Sequence, residues 1–591
     1  MRAVFFLILC CAAALPAHAQ DTVPIDTIPP PASQTPQTLD RTPATLHGFV
    51  RNAATGEGIP RALVRIEGDA ETGALTDGDG RFEIDGVSVG PQAVQVLKPG
   101  YREAGSVAAG TPDADTAVGD LAGGREHNIR VAVEMPDVIF TLAPTGSIRG
   151  RVDLPTGEPV EDIQVAMVHR VVTNGRAEWQ ASGSIKTRSD GTYRFGGLAD
   201  GQYKLYTMPT LDSEPFATLV APGKAAAAQR WGYASIYYPD ARDPSGTSVI
   251  PVSNGSEVQA NFTLTREPFQ TVSVSVLPPQ SSAAAHAPGS YSAEIRDGEG
   301  NELPYTTQYD ANAHTIQAVL PDGTYSIVVT STPGIERLQM SHGPVLPMNA
   351  DGGTLMGEAD FSVAGHAIAN LRIPLTAVAP IPVQVSVIHG GAETGPSRTA
   401  QVEVMVSPAQ SMSGAVMGQY ASGTTDGPLA SSYMAPGAYW VHTFVHGPGL
   451  CESAFTAGGA SLGREPLTIG LTGATAPMQL TLRDDCAHLT LQLPENLLET
   501  GAGEEKFYTV FVVPDFDFTS YVSSIVLRPS SGGSVTLDNL TAGSYHVYTF
   551  QGEANLEYHN PDALRALPNP GQAVTLSPGT AANLVLEAPA Q

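Results

Sequence analysis

One short pattern recurs along the chain and constrains its fold more than any other feature. It consists of an apolar residue, two variable residues, Gly, one more residue, then Tyr at the head of an alternating run. It reads LADGQYKLY over 198–206, LPDGTYSIV over 320–328, MAPGAYWVH over 434–442 and LTAGSYHVY over 540–548. A weaker first copy, VSVGPQAVQV over 87–96, carries Gln92 in place of the tyrosine. The glycines Gly90, Gly201, Gly323, Gly437 and Gly543 stand 111, 122, 114 and 106 residues apart, each spacing the length of one β-sandwich domain. In such a corner Gly supplies the positive φ of a tight turn. Tyr then opens the next strand with its ring over the core and its hydroxyl at the rim.

A second landmark closes each copy. It reads NIRVAV (128–133), ANFTL (260–264), NLRIPL (370–375), MQLTL (478–482) and NLVLEA (583–588). Alternation with period two puts every second side chain on a buried face. Elsewhere VQVLKPGY, FYTVFVV, VEVMV and VSVSV also read as strands, and 61 Gly and 48 Pro leave little room for long helices. Short helical pieces are expected only over 222–231 and 561–567. The chain is therefore expected to be all-β, with about five tandem sandwiches at 44–143, 144–267, 268–378, 379–486 and 487–591.

The first residues, MRAVFFLILCCAAALPAHAQ, combine Arg2, an apolar run to Leu15 and small residues at Ala17 and Ala19. They read as a secretory signal peptide over 1–19, followed by a Pro- and Thr-rich linker over 20–43. No other stretch is apolar enough for a transmembrane helix, so an exported protein is expected, periplasmic, at the cell surface or secreted. With 31 Lys and Arg against 59 Asp and Glu, a net charge of −28, nucleic acid is a disfavoured partner. Past the signal peptide only Cys451 and Cys486 remain. In an oxidising compartment they suggest a disulfide, with two buried thiols or a metal site as the alternatives.

The first two copies carry a longer pattern. HGFVRNAATGEGIPRALVRIEG (47–68) precedes TDGDGRFEIDGVSVG (76–90), and RGRVDLPTGEPVEDIQVAMV (149–168) precedes SDGTYRFGGLADGQY (189–203). These stretches resemble the carboxypeptidase regulatory-like domain through Gly48, Val50, Gly56, Ile59, Ala62, Val64, Asp77, Gly80 and Phe82 in copy one. In copy two the matching residues are Gly150, Val152, Gly157, Pro159, Val160, Asp190, Gly191, Tyr193 and Tyr203. The resemblance implies transthyretin- or immunoglobulin-like β-sandwiches, a fold grouped with carbohydrate-binding-like domains, serving as accessory modules rather than as a peptidase. Copies three to five share only the corner and the closing strand.

Catalytic, cofactor and metal signals are weak. No histidine is followed by Glu three residues on, as a zinc carboxypeptidase would require. Ser461 lies in a Gly-x-Ser-x-Gly stretch, but in a Gly-rich segment of a β repeat rather than at a strand-to-helix turn. Asp77 and Asp79 read as β-turn residues, and Asp113, Asp115 and Asp120 as at most a surface calcium site. Trp231, Tyr233, Tyr237 and Tyr238 crowd into eight residues and would stack on a sugar or peptide if they share one face; otherwise they fill a core. The chain is expected to be a non-enzymatic structural and interaction protein with an envelope or extracellular protein partner. The alternative is a glycan-binding protein that uses the aromatic cluster.

Overall fold

The computed structural model describes residues 43–589 apart from 68–71, 104–125, 213–229, 279–289, 333–353, 379, 391–398, 410–417, 428, 432–433, 435, 448, 471–475, 499–502, 505 and 521. The signal peptide, nearly all of the linker and the candidate calcium residues Asp113, Asp115 and Asp120 lie outside the described residues. The chain is all-β. Among the described residues ten sheets surround five module cores, and a sixth hydrophobic cluster of Phe511, Val513, Phe518, Tyr548, Leu556 and Tyr558 lies in module five. Module one is built on Leu46, Phe82 and Phe140, and module two on Ile148, Phe195 and Phe262. Module three centres on Val272, Ile295 and Ile327, module four on Val402, Val404 and Leu480, and module five on Leu489, Val510 and Leu586. No described helix is long and apolar enough to cross a membrane.

All five modules share one topological signature: the first strand pairs in parallel with the closing strand, which in module three is followed by one further short strand, Thr376–Val378. In module one Pro43–Asn52 pairs with Val138–Pro144, and in module two Gly146–Asp153 with Glu257–Gln259 and Phe262–Thr263. The corresponding pairs are Arg266–Leu277 with Ile368–Pro374, Val383–Ile388 with Met478–Arg483, and Ala487–Gln492 with Ala581–Val585. In copies two to five these last strands carry the closing alternation read in the sequence. In copy one NIRVAV is instead the penultimate strand, His127–Val131, paired antiparallel with Gly90–Leu97. The true closing strand there is VIFTLAP, which alternates just as well.

Close approach explains two motif glycines. A Cβ on Gly48 would sit 1.9 Å from the Val138 carbonyl oxygen, and one on Gly150 1.6 Å from that of Ala260. In both modules the parallel closing strand passes directly over the glycine.

The corner tyrosines find a partner four residues back. The hydroxyl of Tyr203 donates to the Ala199 carbonyl at 2.8 Å, Tyr325 to Pro321 at 3.1 Å and Tyr545 to Thr541 at 2.5 Å. The expected positive φ holds at three of the five corner glycines, with Gly437 at φ +155° and Gly543 at φ +158° beside Gly90. Gly90 has φ +124°, but Gly201 and Gly323 lie outside the left-handed region. At 323 the constraint is room for the ring, since a Cβ would lie 2.8 Å from the Tyr325 hydroxyl.

The helical pieces fare unequally. Pro561–Arg565 is a short helix capped by the Asn560 side chain. Arg230 and Trp231 instead belong to the strand Arg230–Tyr233, which pairs with the first strand of module three. The rest of 222–231 lies outside the described residues. Chain from module two thus extends the sheet of module three.

Cys451 and Cys486 are joined by a disulfide, with Cα atoms 5.8 Å apart across 35 residues. Closing such a loop contributes about 3–4 kcal/mol. Reduction is expected to lower the melting temperature of module four, with module five coupled to it, and leave the cores of modules one to three in place. An unchanged calorimetric profile under reductant would count against this.

Candidate functional site: the junction of modules two, four and five

The linkers between modules are short, and side chains far apart in sequence lock the modules together. One such contact begins with the hairpin Gln164–Thr173/Arg176–Lys186 of module two. Asn174 (φ 50°) and Gly175 (φ 71°) form its two-residue turn, the left-handed pair that Asn-Gly favours. Val165 and Met167 belong to the core of module two, and a register shift follows at Met167/Val168. Beyond it the side chains from His169 onward are only partly covered, as the hairpin runs out past its last pairing with module two at His169–Tyr203.

Its tip docks between modules four and five. The His559 N–H donates to the Gly175 carbonyl at 3.0 Å, and Arg170 pairs with Glu557 at 2.6 Å. Gly175 lies so close to Tyr558 that a Cβ would be 2.3 Å from the ring. The guanidinium of Arg176 lies 3.5 Å from the centre of the Trp440 ring and donates to the Gly463 carbonyl at 3.1 Å. Phe518 stacks on His559 at 4.8 Å and closes the far side. The socket therefore holds a cation with aromatic faces and a carbonyl, without an ion pair to Arg176 among the described residues. Burial pulls Arg176 down to about 10. It also pulls His442 down to about 4 and His559 to about 3, with the Arg176 charge adding to both. Both imidazoles are neutral at pH 7.

A second set of contacts joins modules four and five. The Glu452 carboxylate, 6% exposed, accepts from the Thr519 N–H at 2.8 Å, the Thr519 hydroxyl at 2.9 Å, the Ser520 hydroxyl at 2.6 Å and the Thr443 hydroxyl. Asn539 accepts from the Gly449 N–H at 2.7 Å and donates to the Gly447 carbonyl at 3.1 Å. Beside these contacts opens a cleft of about 780 Å³, lined by Phe455, Ser461, Arg464, Arg483, Phe516 and Asp517 among others. Arg464 and Asp517 face each other across it at 3.1 Å.

The residues singled out by sequence fall elsewhere or take simpler roles. Ser461 sits on the two-residue strand Ala460–Ser461, paired with Thr456 and Ala457, not at a strand-to-helix turn. The Asp77 carboxylate accepts from the N–H groups of Asp79 and Arg81, at 3.0 and 2.8 Å, and so closes its own turn. Among the described residues no cluster of His, Cys, Asp and Glu is placed to hold a metal. The four aromatics do not form one face. Tyr237 is 2% exposed and stacks on Tyr206, while Tyr238 packs edge-on against Phe262, against the core that Tyr233 also lines. Trp231 is 39% exposed, but the Arg266 guanidinium lies 5.1 Å from its ring centre. Arg266 is itself held by Asp212 at 2.7 Å. The side chains that do meet, Arg176 with Trp440 and Glu452 with Thr443, Thr519 and Ser520, belong to no local motif; only the Asn-Gly turn before Arg176 is a readable signal.

Residues 45–121 match the carboxypeptidase regulatory-like domain family. No curated protein matches the chain. Among solved structures, a streptococcal ancillary pilin is similar at 9% identity, covering 56% of this chain and 98% of its own, with a TM-score of 0.17. The Bacillus anthracis TIE protein is similar at 9% identity over 76% and 75%, TM-score 0.14. Two B repeat units of the collagen-binding protein of Staphylococcus aureus match at 8% over 70% and 94%, TM-score 0.14.

Proposed function

We propose that this chain is an exported, non-enzymatic structural and interaction protein. In this reading a signal peptide precedes five sandwich units at 44–143, 144–267, 268–378, 379–486 and 487–591. The units form a fixed array that presents the cleft between modules four and five to a protein of the envelope or extracellular space. One observation carries the reading: the polar side chains of the junction, buried Glu452 and the partly covered Asn539, Arg170 and Glu557, are engaged in holding modules together. Glu452 and Asn539 join four to five, and Arg170 and Glu557 join two to five. Side chains tied up in this way are unavailable as general acids or nucleophiles.

The test compares envelope pull-downs and a glycan array for the processed chain, Arg464→Glu and Trp231→Ala. A protein captured by the wild type and by Trp231→Ala, but lost with Arg464→Glu, is the expected result. Retention on glycans that disappears with Trp231→Ala would replace the protein reading with the sugar one.

A further inference from the structure

The hairpin tip of module two is attached to the rest of the chain in an unusual way. After Val168 its strands keep only the His169–Tyr203 pairing and the Lys204–Trp179 contact with module two, so the order of the tip beyond them depends on the socket. The socket gives it one backbone hydrogen bond, one ion pair and the cage around Arg176. Arg176 brings a positive charge into a socket that also holds two imidazoles: buried His442 stands two residues beyond Trp440 on the strand Gly437–His446 of module four, and half-buried His559 of module five, packed on Tyr558, bonds through its N–H to the Gly175 carbonyl next to Arg176. From these contacts we infer that the hairpin is an acid-released latch: neutral His442 and His559 allow Arg176 to dock, and their protonation expels it and opens the array between modules two and five.

The groups facing the two histidines can be named element by element. Module two supplies Arg176 and Glu178, with His169 at the hairpin shoulder. Module four supplies Trp440 and the Gly463 carbonyl, and module five supplies Tyr558, Phe518 and the neighbouring Glu557, which is bonded to Arg170. When both imidazoles are protonated, three cations share a socket whose walls are aromatic rings.

The sign follows from linkage. A histidine whose docked pKa is depressed favours docking above its ordinary value, and that contribution is lost as pH falls towards the docked value. Burial lowers His169 in the same sense. Glu178, whose carboxyl burial pushes up, opposes them, since its protonation favours the docked form. Glu557 is held below its ordinary range by Asn560 and Arg170, so that pair persists above pH 5. If undocking returns both histidines to about 6.5, the docking constant falls by up to roughly a thousandfold between pH 7.5 and 5.

Hydrogen–deuterium exchange on the processed full chain at pH 7.5 and 5.0, corrected for intrinsic rates, tests this directly. The amides of residues 171–177 are expected to lose at least about tenfold protection at pH 5, with the five cores unchanged. His442→Gln/His559→Gln, which keeps neutral side chains of similar shape, is expected to hold the latch shut at pH 5, and Arg176→Ala to leave it open at both values. Equal protection of the wild-type hairpin at the two pH values would overturn the latch. So would release of the Gln/Gln variant at the same pH as wild type. If the double variant is already open at pH 7.5, the wild-type profile decides alone.

Discussion

Gly150→Ala is expected to cost module two at least about 3 kcal/mol and to release its closing strand, because the added methyl would meet backbone rather than a movable side chain. The new carbon would lie 1.6 Å from the Ala260 carbonyl oxygen and 2.7 Å from the Tyr193 hydroxyl. That oxygen already accepts from Tyr193 at 2.5 Å, and the Ala260 N–H donates to Arg149 at 2.8 Å. To accommodate the methyl, the segment 257–264 must shift away from the first strand, and Phe262 would leave the core with it. Gly48→Ala should behave alike in module one, where the oxygen is that of Val138. The contrast is Gly157→Ala, a turn position with open space around it and a φ of +83°, which should cost about 1 kcal/mol. Denaturant unfolding of the three variants ranks them, and equal midpoints for Gly150→Ala and Gly157→Ala would remove the close-approach argument.

Glu452→Ala comes second, and its effect lies between modules. The carboxylate is the shared acceptor for Thr443, Thr519 and Ser520, two of which belong to the next module. Without it the Thr519 N–H and several hydroxyls are left in a buried site with no anion to receive them, a loss of about 3–5 kcal/mol. The expected result is that modules four and five uncouple while each keeps its core. Calorimetry should then resolve modules four and five as two transitions, where the coupling in the wild type is expected to merge them into one. Glu452→Gln, which retains one carbonyl oxygen, should lose less. A single unshifted transition for Glu452→Ala would mean that the carboxylate contributes nothing to the coupling.

What could be read from the sequence depended on how local each feature was. The corner tyrosine was legible because its partner is a carbonyl four residues back, so the geometry that selects Tyr is contained within one turn. The closing strands were legible in four copies for the same reason. They failed in the first, where 128–133 and 138–144 alternate equally well and only the parallel pairing of Gly48 with Val138 distinguishes them. The strand at Arg230 was misread because its alanine-rich approach favours helix, whereas its structure is set by pairing with Phe269 in the next module. Tyr237 could not be placed on a surface or in a core by composition, since the choice rests on Tyr206, reached through the fold. Apart from the Asn-Gly turn at the hairpin tip, the junction was not legible. Glu452 meets Thr519 across 67 residues and Arg170 meets Glu557 across 387, so neither contact leaves a periodic trace.

The parallel pairing of first and closing strands has a mechanical side. Chain enters each module at one end of the ladder and leaves at the other, so a pull applied along the array slides the two strands past each other lengthwise. In module five the ladder from His488–Ala581 to Gln492–Val585 would have to give way as a unit under such tension, rather than peel open one rung at a time. Stretched from its ends, this chain should yield in five separate steps, each set by the shear strength of a ladder only a few residues long.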